Sequence, residues 1–175
     1  EGHGSGETGW GPIMGGSYLN LTQRSKGEYA GALEFEDDLN IITTQNGFGY
    51  KADDYGSSRS TATELEPVSG SQVNAYGIIE QNTDEDWFTF SSSTGNIKLS
   101  IDPFERGPNL DILAELLDSS GNSLVSSNPV DGLAASFDVA LQAGRYYLKI
   151  TGTGKGEDYS DYGSLGQYSI TGTIA

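Results

Sequence analysis

Asp84 and Asp86 are the residues whose type and spacing best suit metal chemistry in this chain. They are separated by Glu85 and stand directly before the strand-like run from Trp87 to Phe90. Alternate side-chain oxygens from one loop can converge on a hard cation, and Ca²⁺ takes six to eight oxygen ligands. The same acids could instead cap a turn and solvate the end of a strand. The sequence leaves both roles open.

The residues that most catalytic sites require are scarce. The chain contains one histidine, His3, and no cysteine. A zinc site needs several converging ligands, and a Ser-His-Asp triad would have to use His3 without any Gly-x-Ser-x-Gly turn beside its serine. We therefore predict that this chain alone has no catalytic residues, and we interpret His3 as a loop residue.

Tyr159 and Tyr162 are candidates for a binding surface. They lie with Asp158 and Asp161 in a glycine-rich loop. Exposed tyrosine rings could bind a polymer, because flat aromatic side chains offer a large contact area at a low entropic cost. The alternative is that both rings cover the edge of the fold.

The composition limits the classes of partner. Nine Lys and Arg stand against 25 Asp and Glu, which makes the net charge -16. Repulsion between like charges argues against nucleic acid or an anionic membrane surface as a partner. No apolar run approaches the about 18 residues of a membrane-spanning helix, so we predict no membrane span. No signal peptide is recognisable either, and we expect any export signal to lie upstream of Glu1.

The first part of the chain predicts little regular structure. Residues 1–33 are rich in glycine and aromatic residues and predict extended loops. Between Leu33 and Thr43 the apolar residues Phe35, Leu39 and Ile42 recur at spacings of four and three, with acidic residues near the start. This spacing predicts one short helix, because it places apolar side chains on one helical face.

Beyond about residue 60 apolar and polar residues alternate, as they do in strands with one buried face. Turn-forming clusters rich in Gly, Asn, Asp and Ser separate the alternating runs. We therefore predict a mainly β fold, an antiparallel β-sandwich or jelly roll of about seven or eight strands. The predicted inward-facing residues are Phe88, Phe90, Ile97, Leu99, Ile101, Leu110, Ile112, Ala114, Leu116, Phe137, Val139, Leu141, Tyr146, Leu148, Ile150, Tyr168 and Ile170.

Residues 1–43 resemble the C-terminal part of the catalytic domain in bacterial metzincin-type zinc metalloproteases. The resemblance rests on Gly2 to Gly4, the string Gly-Trp-Gly-Pro-Ile-Met-Gly from Gly9 to Gly15, Ser25 to Ala30, and Glu36 to Leu39. In that family a turn containing methionine lies beneath the zinc. The resemblance implies that Met14, with Pro12 and Trp10, forms this Met-turn. The zinc ligands of the family come from a His-Glu-x-x-His-x-x-Gly-x-x-His helix that this sequence does not contain, so Zn²⁺ is expected only in a preceding catalytic portion.

Residues from about 50 to 175 are similar to bacterial pre-peptidase C-terminal domains. The similar segments are Ala52 to Gly56, Ala62 to Thr63, Gly77 to Ile79, Asp84 to Phe90, Asn109 to Asp111, Leu117 to Gly121, Ala143 to Leu148 and Tyr168 to Gly172. Such domains are β-sandwiches appended to secreted proteases. The resemblance implies a role in export, in stability or in holding the enzyme on an insoluble substrate.

A calcium-binding subset of these sandwiches has aspartates at the positions of Asp84 and Asp86 and adds ligands from the linker before the first strand. Here that linker offers Asp53 and Asp54, in place of the glutamate and asparagine of the subset. The resemblance therefore implies a Ca²⁺ site built from these four aspartates.

These observations define two functional hypotheses. In the first, residues 1–47 are the end of a metalloprotease catalytic domain and residues 48–175 are a non-catalytic accessory sandwich. The protein would be secreted by a bacterium, with the upstream catalytic domain as its partner and an insoluble protein or polysaccharide as a possible ligand. In the second, the chain is a stand-alone, calcium-dependent adhesion module that binds collagen or a polysaccharide.

Overall fold

The structure, a computed structural model, describes residues 2–16 and 21–175, and most of its regular elements are strands. Short runs of alternating and β-branched or aromatic residues favour strands over helices in this chain. In chain order the elements are β1 (Trp10–Pro12), β2 (Leu21–Gln23), α1 (Asp38–Gln45), β3 (Thr63–Glu64), β4 (Pro67–Ser69), β5 (Gln72–Ile79), β6 (Asp86–Ser92), β7 (Gly95–Pro103), β8 (Ile112–Leu117), β9 (Ser123–Ser127), β10 (Ala135–Leu141), β11 (Gly144–Gly152) and β12 (Gly166–Thr173), with single 3-10 turns at Gly6–Thr8 and Arg59–Thr61.

Strands β3 to β12 form two five-stranded sheets. Sheet I has the order β10-β7-β12-β5-β4, and sheet II has the order β3-β6-β11-β8-β9. Neighbouring strands are antiparallel except β3 and β6, which are parallel. This architecture confirms the predicted mainly β sandwich, and its eight strands of five or more residues (β5 to β12) agree with the predicted number.

One aliphatic and aromatic core joins the two sheets. Ile97, Leu99 and Ile101 of β7 point inward and are almost completely buried, whereas Lys98 between them is exposed. Residues on the inward face of β11, such as Leu148, pack into the same core. Burying a side chain of this size stabilises the fold by about 1.5–3 kcal/mol, so the core is the main source of the sandwich's stability.

A second, smaller core forms between the chain before the sandwich and the sandwich itself. We call residues 2–50 the N-terminal segment. Its short strands β1 and β2 pair in parallel, with Trp10 opposite Leu21. Both residues are buried together with Leu133 and Tyr159 of the sandwich. The extended loop predicted over residues 1–33 therefore contains a small parallel ladder that packs on the sandwich.

The helix begins five residues later than the apolar spacing predicts. Asp37 is the N-cap residue, and its carboxylate accepts a hydrogen bond from the backbone N–H of Asn40 (2.9 Å). This cap sets the start of α1 at Asp38, because it satisfies a backbone donor that the first helical turn leaves free. Phe35 consequently precedes the helix and is 71% exposed, which corrects the predicted apolar face. Neither α1 nor any other described helix has the length and apolar character needed to span a membrane.

Candidate metal centre

Five carboxylates gather where the chain crosses from one sheet to the other. Glu80 directly follows β5 of sheet I, and Asp86 is the first residue of β6 in sheet II. Asp84 lies in the turn between them, where its carboxylate accepts a hydrogen bond from the backbone N–H of Glu80 (3.3 Å). Asp53 and Asp54 come from the segment before β3. We call these five residues the acidic cluster.

Two groups of three carboxylates within the acidic cluster each have oxygens close enough to share a cation. One carboxylate oxygen each from Asp53, Asp54 and Asp86 lies within 4.8 Å of the other two. Asp53, Glu80 and Asp84 form a second group with the same limit. Oxygens bound to one Ca²⁺ at 2.3–2.6 Å can be at most about 5 Å apart. Both groups satisfy that limit, and Asp53 belongs to both.

Asp86 is held by a buried tyrosine. Its side chain is completely buried, and its Oδ2 accepts a hydrogen bond from the Tyr168 hydroxyl (2.6 Å). That hydroxyl passes close to Gly77, where a Cβ atom would lie 2.2 Å from it. A glycine is therefore required at position 77, because a side chain there would displace the group that positions Asp86.

Several oxygens of the cluster are buried without a hydrogen-bond donor. They are Oδ1 of Asp86 and both carboxylate oxygens of Glu80, which is 8% exposed. A buried polar group without a partner costs free energy, and an uncompensated buried charge costs more. None of the five carboxylates pairs with a Lys or Arg among the described residues. These free oxygens fit the donor set of a hard cation.

Burial and mutual repulsion raise the pKa values of four carboxyls in the acidic cluster. Burial raises the pKa of Asp86 to about 8, against the opposing effect of the Tyr168 hydrogen bond, and the charge of Asp84 raises it further. Burial also raises the pKa of Glu80 to about 7, with the neighbouring Asp84 adding to the rise. The pKa values of Asp84 and Asp54 are raised as well, again mainly by burial. A bound cation would reverse these shifts, because it favours the ionised form.

The structure brings together all four aspartates that the sequence singles out for metal binding, and it adds Glu80. Sequence reasoning missed Glu80 because the residue stands at the end of the preceding strand, outside the Asp84 to Asp86 turn. The sequence does contain a signal for Glu80. When the turn between two strands is short, an acid at the end of the first strand lies close to acids at the start of the second.

Tyr159 and Tyr162 are not exposed, and this corrects the prediction of a tyrosine platform. They are 2% and 7% exposed. The Tyr159 hydroxyl donates to Oδ2 of buried Asp111 (2.7 Å), and the Tyr162 hydroxyl donates to Oδ1 of Asp37 (2.5 Å) in the N-terminal segment. Both rings are buried by contacts within the chain, so neither can lie flat against a polymer.

The predicted Met-turn residues have different environments. The backbone turns at Pro12 to Gly15, where the N–H of Gly15 donates to the carbonyl of Pro12 (2.8 Å). Trp10 is 1% exposed; its indole N–H donates to Gln23 (2.8 Å) and its ring stacks on Tyr159. Met14, in contrast, is 82% exposed. Trp10 therefore belongs to the small core, and Met14 does not.

The molecule is thus a two-sheet antiparallel β-sandwich module with a candidate cation site at one edge. Residues 84–152 match the family model of the bacterial pre-peptidase C-terminal domain. The matched range includes Asp84 and Asp86 and extends through β11. No protein with a curated description matches the chain.

Several solved structures from bacteria are similar to part of this chain. The pre-peptidase C-terminal domain of collagenase from Bacillus anthracis is 17% identical, with 65% of this chain and 94% of that one covered at a TM-score of 0.45. PliG of Aeromonas hydrophila, a periplasmic inhibitor of g-type lysozyme, is 11% identical, with 65% and 96% covered at a TM-score of 0.49. PliG of Salmonella Typhimurium is 19% identical, with 65% and 97% covered at 0.42. Values this low transfer no function to the chain.

Proposed function

We propose that this chain is a non-catalytic accessory module of a secreted bacterial zinc metalloprotease and that its N-terminal segment couples it to the catalytic domain of the same precursor. The family match over residues 84–152 supports the accessory role. The content of one histidine and no cysteine agrees with a module that leaves zinc chemistry to another part of the protein. The module would assist export or stability, or attach the enzyme to an insoluble substrate.

The observation that carries the proposal is the two-sided character of the N-terminal segment. Its inner side binds the sandwich: Gln23 donates to the carbonyl of Asn109 (2.7 Å), and Lys155 donates to the Thr8 hydroxyl (2.6 Å). At Gly163 a Cβ atom would lie 2.4 Å from the carbonyl of Arg24, so the two parts meet without space for a side chain.

The outer side of the same segment exposes apolar side chains. Met14 and Leu33 are 82% and 88% exposed and line a groove of about 500 Å³. Clusters of large exposed apolar residues commonly mark interfaces. In this proposal the outer side packs against the catalytic domain through the exposed Met14 of the Met-turn segment, whereas Trp10 and Pro12 of that segment are buried on the inner side. Its exposed apolar residues are Ile13, Met14, Leu33, Phe35, Phe48 and Tyr50.

The acidic cluster adds a calcium site to the proposal. Its buried, unpartnered oxygens at Asp86 and Glu80 support a hard cation with many oxygen ligands, and Asp53, Asp54 and Asp84 complete a set typical of Ca²⁺. Because Asp53 and Asp54 precede β3, the first strand of the sandwich, Ca²⁺ would tie this linker to the edge of the sandwich. The module would then be more stable outside the cell, where calcium is available.

The first test is the coding sequence upstream of Glu1. The proposal requires a His-Glu-x-x-His-x-x-Gly-x-x-His helix there, and a different upstream domain would contradict it. In the full precursor, Leu33→Glu should then reduce the yield of active secreted protease. Leu124→Glu is the matched control, because Leu124 is also exposed but lies on the sandwich. Equal yields from the two variants would argue against coupling through this segment.

A calcium-dependent adhesion module remains the second candidate, and the acidic cluster is the observation that favours it. Retention of the isolated chain on collagen or chitin beads in Ca²⁺, with release by a chelator, would support this candidate. A zinc-supplemented casein assay of the isolated chain checks the non-catalytic assignment that both candidates share. Cleavage above that of a heat-inactivated sample would contradict both.

A further inference from the structure

Two cavities lie on either side of the loop that follows β7, on the outer face of sheet I. Their volumes are about 600 Å³ and about 410 Å³, and residues 102–105 line both. The larger cavity continues to Tyr76 and Asp54, and the smaller one continues to Glu7 and Leu133. We call the two cavities together the acidic trough. The two cavities are neighbours, because residues 102–105 line both of them.

The register of sheet I explains why a trough forms there. Ser169 on the central strand β12 stands opposite Tyr76 of β5 on one side and opposite Asp102 of β7 on the other. Residues directly opposite each other share a face of the sheet, so a short side chain lies between two longer ones. The backbone N–H of Phe104 donates to the carbonyl of Gln167 (2.9 Å), which anchors the loop beside β12.

Two exposed aromatic side chains border the trough. Tyr76 is 67% exposed and Phe104 is 52% exposed. Phe104 lies on the wall between the two cavities, and Tyr76 lies on the opposite side of β12. Large aromatic groups left in solvent beside a concavity are typical of ligand-binding surfaces.

The charged groups of the trough all have the same sign. Asp54, Asp102 and Glu105 line the larger cavity, and Glu7 is added in the smaller one. Neither cavity is lined by a Lys or Arg among the described residues. Carboxylates in a cleft concentrate the electrostatic field and attract cations. Aromatic faces bind the same ammonium and guanidinium groups through cation–π contacts.

We propose that the acidic trough binds an extended peptide segment that carries Lys or Arg next to apolar side chains. The basic groups would bind the carboxylates of Asp102, Glu105 and Glu7. They would also contact the Tyr76 and Phe104 rings, and the apolar groups would contact Pro103. A second copy of the chain fits less well, because each copy carries a net charge of -16 and two copies repel. This inference names a ligand class for the attachment role, and it rests on the proposed function in that respect.

The test measures peptide binding to the isolated chain by fluorescence anisotropy. The probe is a fluorescein-labelled peptide of alternating lysine and leucine, with prolines that keep it extended. Two comparison peptides carry serine or glutamate in place of lysine. The basic peptide should bind saturably and more weakly at high salt, and the two comparison peptides should bind far more weakly.

Substitutions in the trough test whether the peptide binds there. Phe104→Ala should weaken binding roughly three- to tenfold through loss of aromatic contact. The double variant Asp102→Asn, Glu105→Gln should weaken it by a similar factor and reduce its salt dependence. The matched controls are Leu124→Ala and Glu157→Gln, since both residues are exposed and line neither cavity. Both controls should bind like the unchanged protein.

Three results would overturn the inference. Equal binding of the serine and lysine peptides would show that the occupant is not basic. Equal weakening by Glu157→Gln and by the double variant would show a general effect of net charge. Self-association that Phe104→Ala abolishes, measured by sedimentation, would make the trough an interface between two copies. None of these results bears on coupling to an upstream protease, which the precursor experiment tests separately.

Discussion

Two buried aspartate–tyrosine pairs in this molecule look alike but have different surroundings. Asp86 with Tyr168 and Asp111 with Tyr159 each join a carboxylate to a tyrosine hydroxyl, at 2.6 Å and 2.7 Å. Asp111 also accepts a hydrogen bond from the Asn128 amide (3.1 Å) on its other oxygen. The second oxygen of Asp86 has no donor.

The charges around the two pairs also differ. Burial raises the pKa of Asp111, and the positive charge of Lys155 opposes that rise. Burial also raises the pKa of Asp86, but the charged groups around Asp86 are carboxylates, which raise it further. A buried carboxylate whose two oxygens both accept hydrogen bonds, like that of Asp111, needs no further partner. A buried carboxylate with a free oxygen and acidic neighbours lacks such partners, and in the proposed calcium site a metal ion would supply the missing one. Asp111 and Asp86 are both buried. Their hydrogen bonds and neighbouring charges nevertheless distinguish a structural aspartate from a candidate metal ligand.

The largest expected effect comes from breaking the structural pair. Asp111→Ala removes the acceptor of the buried Tyr159 hydroxyl, so we expect a loss of about 2–4 kcal/mol in the free energy of unfolding. The loss should be the same with calcium and with a chelator, because Asp111 is outside the acidic cluster. Urea denaturation measures it, and Asp161→Ala, at an exposed position, is the control with little expected change. A loss that depends on calcium would contradict the distinction between the pairs.

The second prediction concerns calcium at the other pair. Ca²⁺ at a hundredfold excess over its Kd adds about 2.7 kcal/mol to stability, which is roughly 5–10 °C in Tm for a domain of this size. Asp86→Asn should abolish this gain while leaving the protein in EDTA equally stable or more stable, since an amide is uncharged at every pH and still offers an oxygen acceptor to Tyr168. Thermal melts with Ca²⁺ and with EDTA measure both effects. If the protein without substitutions has the same Tm in Ca²⁺ and in EDTA, a calcium site is excluded.

A smaller effect is expected from crowding the Tyr168 hydroxyl. Gly77→Ala places a methyl group 2.2 Å from that oxygen, so it should cost about 1–3 kcal/mol and also lower the calcium-dependent gain in Tm. Gly49→Ala is the control, because no atom lies within 4 Å of its added methyl. If Gly77→Ala leaves the calcium response unchanged, Tyr168 does not position Asp86 for the metal.

The last prediction concerns how the Tm of the protein in EDTA depends on pH. The folded pKa values of Glu80 (about 7) and Asp86 (about 8) lie above the ordinary values near 4. A carboxyl with a raised folded pKa stabilises the fold when it is protonated. This contribution is complete below pH about 4 and disappears as the pH rises through 7 to 8.

The Tm with EDTA should therefore fall between pH 5 and pH 9, and excess Ca²⁺ should reduce that fall. Asp86→Asn should reduce the fall as well, because an amide does not titrate. A Tm with EDTA that rises across this range would contradict the raised pKa values.

Periodicity was enough to predict the sandwich but not the small core. The alternation in β7 and β11 places Ile97 and Leu148 inside without any knowledge of their neighbours, since a strand can bury only one of its faces here. Tyr159 gives no such signal, because its loop has no period. Its burial depends on Trp10, which is 149 residues away in the chain and stacks on its ring. The spacing of Phe35 likewise predicted a helical residue, but the Asp37 cap starts the helix after it.

By itself the sequence determined the β-sandwich and indicated Asp84 and Asp86 as candidate metal ligands, because strand alternation and the pairing of acids around a turn are local properties. The resemblance to calcium-binding pre-peptidase C-terminal domains added Asp53 and Asp54. Only the tertiary structure decided that Glu80 joins those aspartates, that Asp86 keeps a free oxygen, and that the two tyrosines are buried. These outcomes depend on which distant residues fold against one another. Burial, hydrogen-bond satisfaction and pKa are set by that three-dimensional environment, which no local pattern encodes.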